Sequence, residues 1–214
     1  MDNRYIRMTD IINRDKLNKL GATVIGCGSI GRDVAIKLAN IGIPRIQLID
    51  FDKVEDVNLA PQGFYEGDIG HLKTDCTRDL INKINSTVSV DVISKRFHPD
   101  MKPLDIVFCC VDSIATRKSI FDRISPSLFI DARMSAENLQ VFSVYDPESR
   151  KFYDKTLFSA SEAHREACTG RSTNYTASIA SGIMLAQFTK WMRDVEPEKQ
   201  VDFNLFSMEL STSI

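Results

Sequence analysis

The apolar positions of the chain switch repeatedly between two periods, laying out short strands that alternate with longer helices. Residues 22–26 (ATVIG) and 46–50 (IQLID) are short, almost wholly apolar runs, as in strands buried on both faces. Between them, residues 32–42 (RDVAIKLANIG) repeat their apolar side chains at helical spacing and stop at a glycine. Strand, glycine loop, helix and strand in that order predict a right-handed βαβ unit on a parallel sheet. Helices are then expected over 72–85 (LKTDCTRDLINKIN) and 115–125 (ATRKSIFDRIS), and strands over 88–96, 104–112 (LDIVFCCVD) and 127–132. Residues 139–146 (LQVFSVYD) read as a strand that could run antiparallel at an edge. Residues 174–194 read as a long, mostly apolar helix and 201–210 as a final strand. Residues 8–20 read as a polar helix closed by Gly21. Two stretches lack a period: 53–71, an irregular loop, and 147–171, a polar crossover-type loop of a length that is usually functional. The expected class is α/β, a Rossmann-like, mostly parallel sheet flanked by helices, with antiparallel strands on its C-terminal side.

Composition narrows the setting. The 214 residues are 43% apolar and 26% charged, enough for a globular core, and the net charge of −2 gives no reason to expect nucleic acid or a membrane surface as partner. The first residues, MDNRYIRMTDII, hold no apolar signal core, and no apolar run approaches the roughly 18 residues of a spanning helix. A cytoplasmic location is the expectation. The five cysteines form no even framework and no C-x-x-C pair occurs, so no zinc site is expected.

Four groups of residues could carry chemistry. Gly26-x-Gly28-x-x-Gly31 joins a strand to a helix, where glycines let a phosphate approach backbone N–H groups. Asp50, at the end of the second strand, is placed to accept hydrogen bonds from ribose hydroxyls, and Asp52 is either a second ligand or a loop cap. The loop alone does not say which nucleotide binds. Asn58, Gln62 and Lys73 share the stretch EDVNLAPQGFYEGDIGHLKTD, which by composition reads as a solvated loop with a surface lysine. Asp112 follows a buried strand and could hold magnesium or cap the next helix. Arg117, five residues on, could meet phosphate or only pair with a neighbouring carboxylate. Cys168 lies in a polar loop before a helix, near His164, Arg165 and Arg171, a setting that lowers a thiol pKa; the alternative is a packed small residue.

In order along the chain, NRYIRM, the glycine loop, LIDFDKVEDVNL, GDIGHLKTD, CCVDSIATR, FIDARMSAENLQVF and CTGRSTNYTASIASGIMLAQFTKW resemble the ThiF/MoeB/HesA family, prokaryotic relatives of ubiquitin-activating enzymes. The resemblance implies one adenylation domain over 1–214, with an N-terminal helical segment over 1–21. Such a domain would use ATP and Mg2+ to adenylate the C-terminal glycine of a ubiquitin-like or sulfur-carrier protein. It implies Gly26, Gly28 and Gly31 at the phosphates, Asp50 at the ribose with Asp52 close by, and Asn58 and Lys73 at phosphate. Asp112 would position the metal. Arg7 would reach the partner's site in a homodimer, and Cys168 would take the acyl group. Pro61 stands where a phosphate-contacting arginine is expected, and Arg117 is one candidate to replace it. An NAD(P)-dependent oxidoreductase and a non-catalytic scaffold subunit are the alternatives.

Overall fold

The computed structural model describes residues 3–98, 100–157 and 172–213. Eight strands form one sheet: β1 (Gly21–Ile25), β2 (Arg45–Ile49), β3 (Ser89–Ile93), β4 (Ile106–Cys109), β5 (Leu128–Ser135), β6 (Asn138–Val144), β7 (Gln200–Asn204) and β8 (Glu209–Ser213). Their spatial order is β3-β2-β1-β4-β5-β6-β7-β8. The first five are parallel and the last three antiparallel, as the pattern of the chain led us to expect. The helices are α1 (Arg14–Leu17), α2 (Ser29–Ile41), α3 (Leu59–Gln62), α4 (Lys73–Ile84), α5 (Ile114–Phe121), α6 (Pro147–Asp154) and α7 (Asn174–Met192).

Every residue of β4 is buried, because helices cover both faces of the sheet. Its side chains alternate between two cores. Ile106 and Phe108 join α2, α4 and α7 on one face, while Val107 and Cys109 join Ile120, Phe121 and Tyr153 of α5 and α6 on the other. Helix α7 shows little amphipathicity because it is packed on several sides, with Ala177, Ala180, Met184 and Phe188 all buried. Its small residues allow α2 to lie close, and Ser181 Oγ donates to Asp33 at 2.7 Å across that contact.

Several expected elements differ. The helix over 8–20 is a 3-10 helix (Asn3–Met8) followed by the short α1, because Asn13 Oδ1 caps Lys16 N at 3.1 Å and starts a new helix. The loop over 53–71 contains two 3-10 turns and α3, which stops at Gly63 with φ +66°. The crossover-type loop over 147–171 begins as α6: Asp146 caps Ser149 N at 2.7 Å and Pro147 occupies the first turn. Residues 158–171 lie outside the described residues. Strand β6 is interior rather than at an edge, because the expected last strand is a hairpin, β7–β8, that adds to it. Asn204 Oδ1 accepts from the amides of Phe206 and Ser207 to turn that hairpin.

Phe188 is fully buried, edge-on to Phe108 with ring centroids 6.0 Å apart. Phe188→Ala is therefore expected to cost about 3–5 kcal/mol in urea unfolding, through lost burial and the cavity left between α7 and the sheet.

Candidate functional site

Ile25 pairs with both Ile49 and Cys109, so the chain leaves β1, β2 and β4 at one place, the carboxyl edge where strand order reverses. Gly26 N donates to Ile49 O and Cys110 N to Ile25 O, each at 2.8 Å, and these bonds tie the three exits together. The loop glycines serve different ends. A Cβ on Gly31 would lie 1.8 Å from the Gly26 carbonyl oxygen, and one on Gly26, where φ is +91°, would lie 2.7 Å from the Cys110 carbonyl oxygen. Both are demanded by close backbone packing. Gly28 is not: the nearest atom to a Cβ there is Gln62 Oε1 at 3.9 Å. Gly28 is also the N-cap of α2, with no side chain capping it, so first-turn N–H groups face that space. A helix start of this kind receives an anion.

Asp50 organises the rim. Its carboxylate accepts from Cys27 N at 2.6 Å and from Asp52 N at 2.8 Å, which fixes the glycine loop against the exit of β2. Each oxygen retains a lone pair for a further donor. Asp52 in turn positions Lys73, whose backbone N donates to Asp52 O at 3.0 Å. Lys73 is 7% exposed and its Nζ lies 3.4 Å from Asp52 Oδ2, a long pairing. It is therefore a buried cation in the wall, not the surface charge that composition alone suggested. Burial first, and the nearby Asp50 carboxylate second, push the Cys27 thiol well up, against the opposing pull of Lys73 and Arg32. Burial likewise raises the thiols of Cys109 and Cys110, which removes all three from consideration as nucleophiles at neutral pH.

The other candidates divide. Asn58 Oδ1 accepts from Glu55 N at 3.0 Å and so caps a 3-10 turn. Asp112 is exposed just beyond β4, and the N-cap of α5 is Ser113, not Asp112. Arg117 is buried and its guanidinium is engaged by the Asp131 carboxylate and the Val111 carbonyl oxygen, the carboxylate pairing that the sequence left as one alternative. Asp131 also accepts from Arg133 Nε at 3.0 Å. Arg7 lies on the N-terminal 3-10 helix beside Tyr5, whose hydroxyl accepts from Asn85 and whose ring packs against Gly42, the C-cap of α2. That is the end of α2 away from the loop, roughly 20 Å along a 13-residue helix. Cys168, His164, Arg165 and Arg171 lie outside the described residues. One basic residue escaped the motif reading: Arg32, directly after the last loop glycine, is 5% exposed. A charged residue on the buried face of an apolar helix was its signal.

The set fits a nucleoside triphosphate: open space at Gly28, a helix start, a buried lysine and the Asp50 carboxylate at the end of β2. Among the described residues no three His, Cys, Asp or Glu side chains gather to hold a metal. A lone carboxylate such as Asp112 suits magnesium that arrives with phosphates and keeps its waters.

Fold and site together define a doubly wound α/β protein with an open space beside Gly28 at the strand-order switch. A family model described as ThiF family matches residues 3–213, and the chain belongs to that family. It is 31% identical over 113 residues to "Adenylyltransferase and sulfurtransferase MOCS3" of Culex quinquefasciatus, a match covering 50% of this chain and 26% of that protein. The chain thus spans about a quarter of that relative's length. The crystal structure of E. coli MccB with MccA superposes with a TM-score of 0.81 at 22% identity, covering 100% of this chain and 71% of that one. The same E. coli protein with ATP gives a TM-score of 0.76 at 22% identity, with the same coverage of both chains. No helix among the described residues is long and apolar enough to cross a membrane.

The two kinds of loop glycine are separable by mutation. Gly31→Ala is expected to lower the thermal midpoint by several degrees, because backbone must move. Gly28→Ala is expected to leave the midpoint nearly unchanged, as calorimetry would show. Cys27, Cys109 and Cys110 are expected to resist iodoacetamide at pH 8 in the native protein and to react on unfolding, by mass-spectrometric mapping.

Proposed function

We propose that this chain is an ATP-dependent adenylyltransferase. It activates the C-terminal glycine carboxylate of a ubiquitin-like or sulfur-carrier protein and releases pyrophosphate. The observation that carries the reading is the buried, loosely paired Lys73 beside the open Gly28 space, together with membership of the ThiF family. Among the described residues Lys73 meets one carboxylate, Asp52 at 3.4 Å, which leaves its charge available to nucleotide phosphates, and membership of the ThiF family favours ATP over a nicotinamide cofactor.

In this reading the glycine carboxylate, already ionised at neutral pH, attacks the α-phosphorus of ATP. The bond from that phosphorus to the bridging oxygen of the β-phosphate breaks, and pyrophosphate leaves with its electron pair. Two anions must meet, so the residues' task is to offset charge. The α2 N-terminus and Lys73 hold phosphoryl oxygens, Asp50 orients the ribose, and Asn58 stiffens the turn that carries the wall. Asp112 would hold magnesium, which neutralises charge on the phosphates. Arg7, placed away from the loop of its own chain, would serve the site of a second copy in a homodimer, and Cys168 would accept the acyl group afterwards.

ATP–pyrophosphate exchange with small proteins ending in Gly-Gly tests this. Lys73→Ala and Asp112→Ala are each expected to lower exchange by about a hundredfold or more, whereas Cys168→Ala should leave exchange intact and remove only a later thioester. Tight NADH binding with no response to ATP would sink the proposal in favour of an oxidoreductase.

A further inference from the structure

Arg32 occupies the first turn of α2, its backbone N donating to Gly28 O at 3.0 Å. It is 5% exposed, and its Nε and Nη2 are buried with no hydrogen-bond partner among the described residues. A buried guanidinium in that condition is costly, because desolvation is not offset by an anion. Its surroundings do little to help. The guanidinium stacks over Phe64, 4.6 Å from the ring centroid, and Nη1 sits where a Cβ on Gly63 would be 3.4 Å away. The neighbouring Gln62 projects its Oε1 toward Gly28 and is also buried without a partner. Asp68 is near enough to act on Arg32 electrostatically, but its carboxylate accepts from Tyr65 N at 2.9 Å and makes no hydrogen bond to Arg32. Asp33 is likewise occupied by Lys37 and Ser181.

The contrast with the other buried arginine near the site is informative. Arg117 also has a buried Nε without a partner, but its Nη1 and Nη2 meet Asp131 and a carbonyl, whereas among the described residues Arg32 has no carboxylate in hydrogen-bond reach. Arg32 also stands on the loop side of the fold: with Lys73 it acts on the Cys27 thiol, inside the glycine loop. The α3 segment facing Gly28, Leu-Ala-Pro-Gln, supplies no cation of its own.

From this geometry we infer that Arg32 is a phosphate-binding residue of the nucleotide site, its unpaired Nε–H and Nη2–H donors waiting for the oxygens of a triphosphate bound over Gly28. The inference rests on the ATP reading above. Its physical logic is that a planar, always charged fork matches phosphate oxygens. A polar group left unsatisfied in the free protein marks where the ligand completes the structure. Phe64 then serves as a platform that holds the fork in plane.

Affinities for ATP with magnesium and for adenosine, measured by calorimetric titration of wild type, Arg32→Gln and Arg32→Lys, provide the test. The expected result is that Arg32→Gln loses roughly ten- to a hundredfold in ATP affinity and keeps its adenosine affinity, with Arg32→Lys between. An unchanged ratio of ATP to adenosine affinity in Arg32→Gln would show a packing residue and overturn the inference. A wild-type protein that binds neither compound would remove the adenylation reading itself and the inference with it. Should Arg32→Gln fail to fold, the side-chain Nε–H resonance of Arg32, assigned by its loss in Arg32→Lys, decides on the wild type. It should shift with ATP and not with adenosine, and a resonance unmoved by saturating ATP would overturn the assignment.

Discussion

The carboxylate of Asp50 is the junction on which the site depends. By accepting from Cys27 N and Asp52 N it joins the glycine loop to the segment that follows β2. Through the Asp52 carbonyl that segment sets the start of α4, and with it the position of Lys73. One side chain thus fixes three loops relative to one another at the carboxyl edge of the sheet. It can do so only because β1 lies between β2 and β4, so that Gly26, Asp50 and Cys110 leave adjacent strands at one level. Backbone sterics at Gly26 and Gly31 then leave the loop little choice of path.

Around that junction, cations are arranged with unequal neutralisation. Among the described residues Arg117 is paired, Lys73 is loosely paired, and Arg32 has no ion pair. The gradient runs from the second core, where Arg117 meets Asp131 beside the β4–α5 connection, to the first turn of α2, where among the described residues Arg32 meets no carboxylate in hydrogen-bond reach. Buried charge without a partner lowers the stability of the free protein. A polyanionic ligand, as proposed above, would offset that cost and return the stability by mass action.

The N-terminal segment adds a second constraint. Tyr5 is fastened to Asn85 and Gly42, and Arg14 stacks over its ring at 4.0 Å. The 3-10 helix carrying Arg7 is thereby held at the far end of α2, with Arg7 exposed. The length of α2 separates Arg7 from the glycine loop of its own chain.

Local patterning was enough for much of this protein. Apolar runs and helical spacing identified β1 to β6, α2, α4, α5 and α7, because period and burial are written residue by residue. The glycine spacing marked the turn from β1 to α2, where Gly26 and Gly31 meet backbone too closely for a side chain. The tertiary structure decided the rest. That Arg117 turns to Asp131 follows from β4 and β5 being neighbours, and that Lys73 is buried follows from a bridge between Lys53 and Leu72 across a loop with no period. The hairpin that makes β6 interior, the helix begun by the Asp146 cap and the unpaired state of Arg32 depend on the same kind of information. A side chain's charge is visible in the sequence, but its partner is chosen by packing between segments far apart in the chain, and at Arg32 packing supplied aromatic rings and, among the described residues, no carboxylate in hydrogen-bond reach.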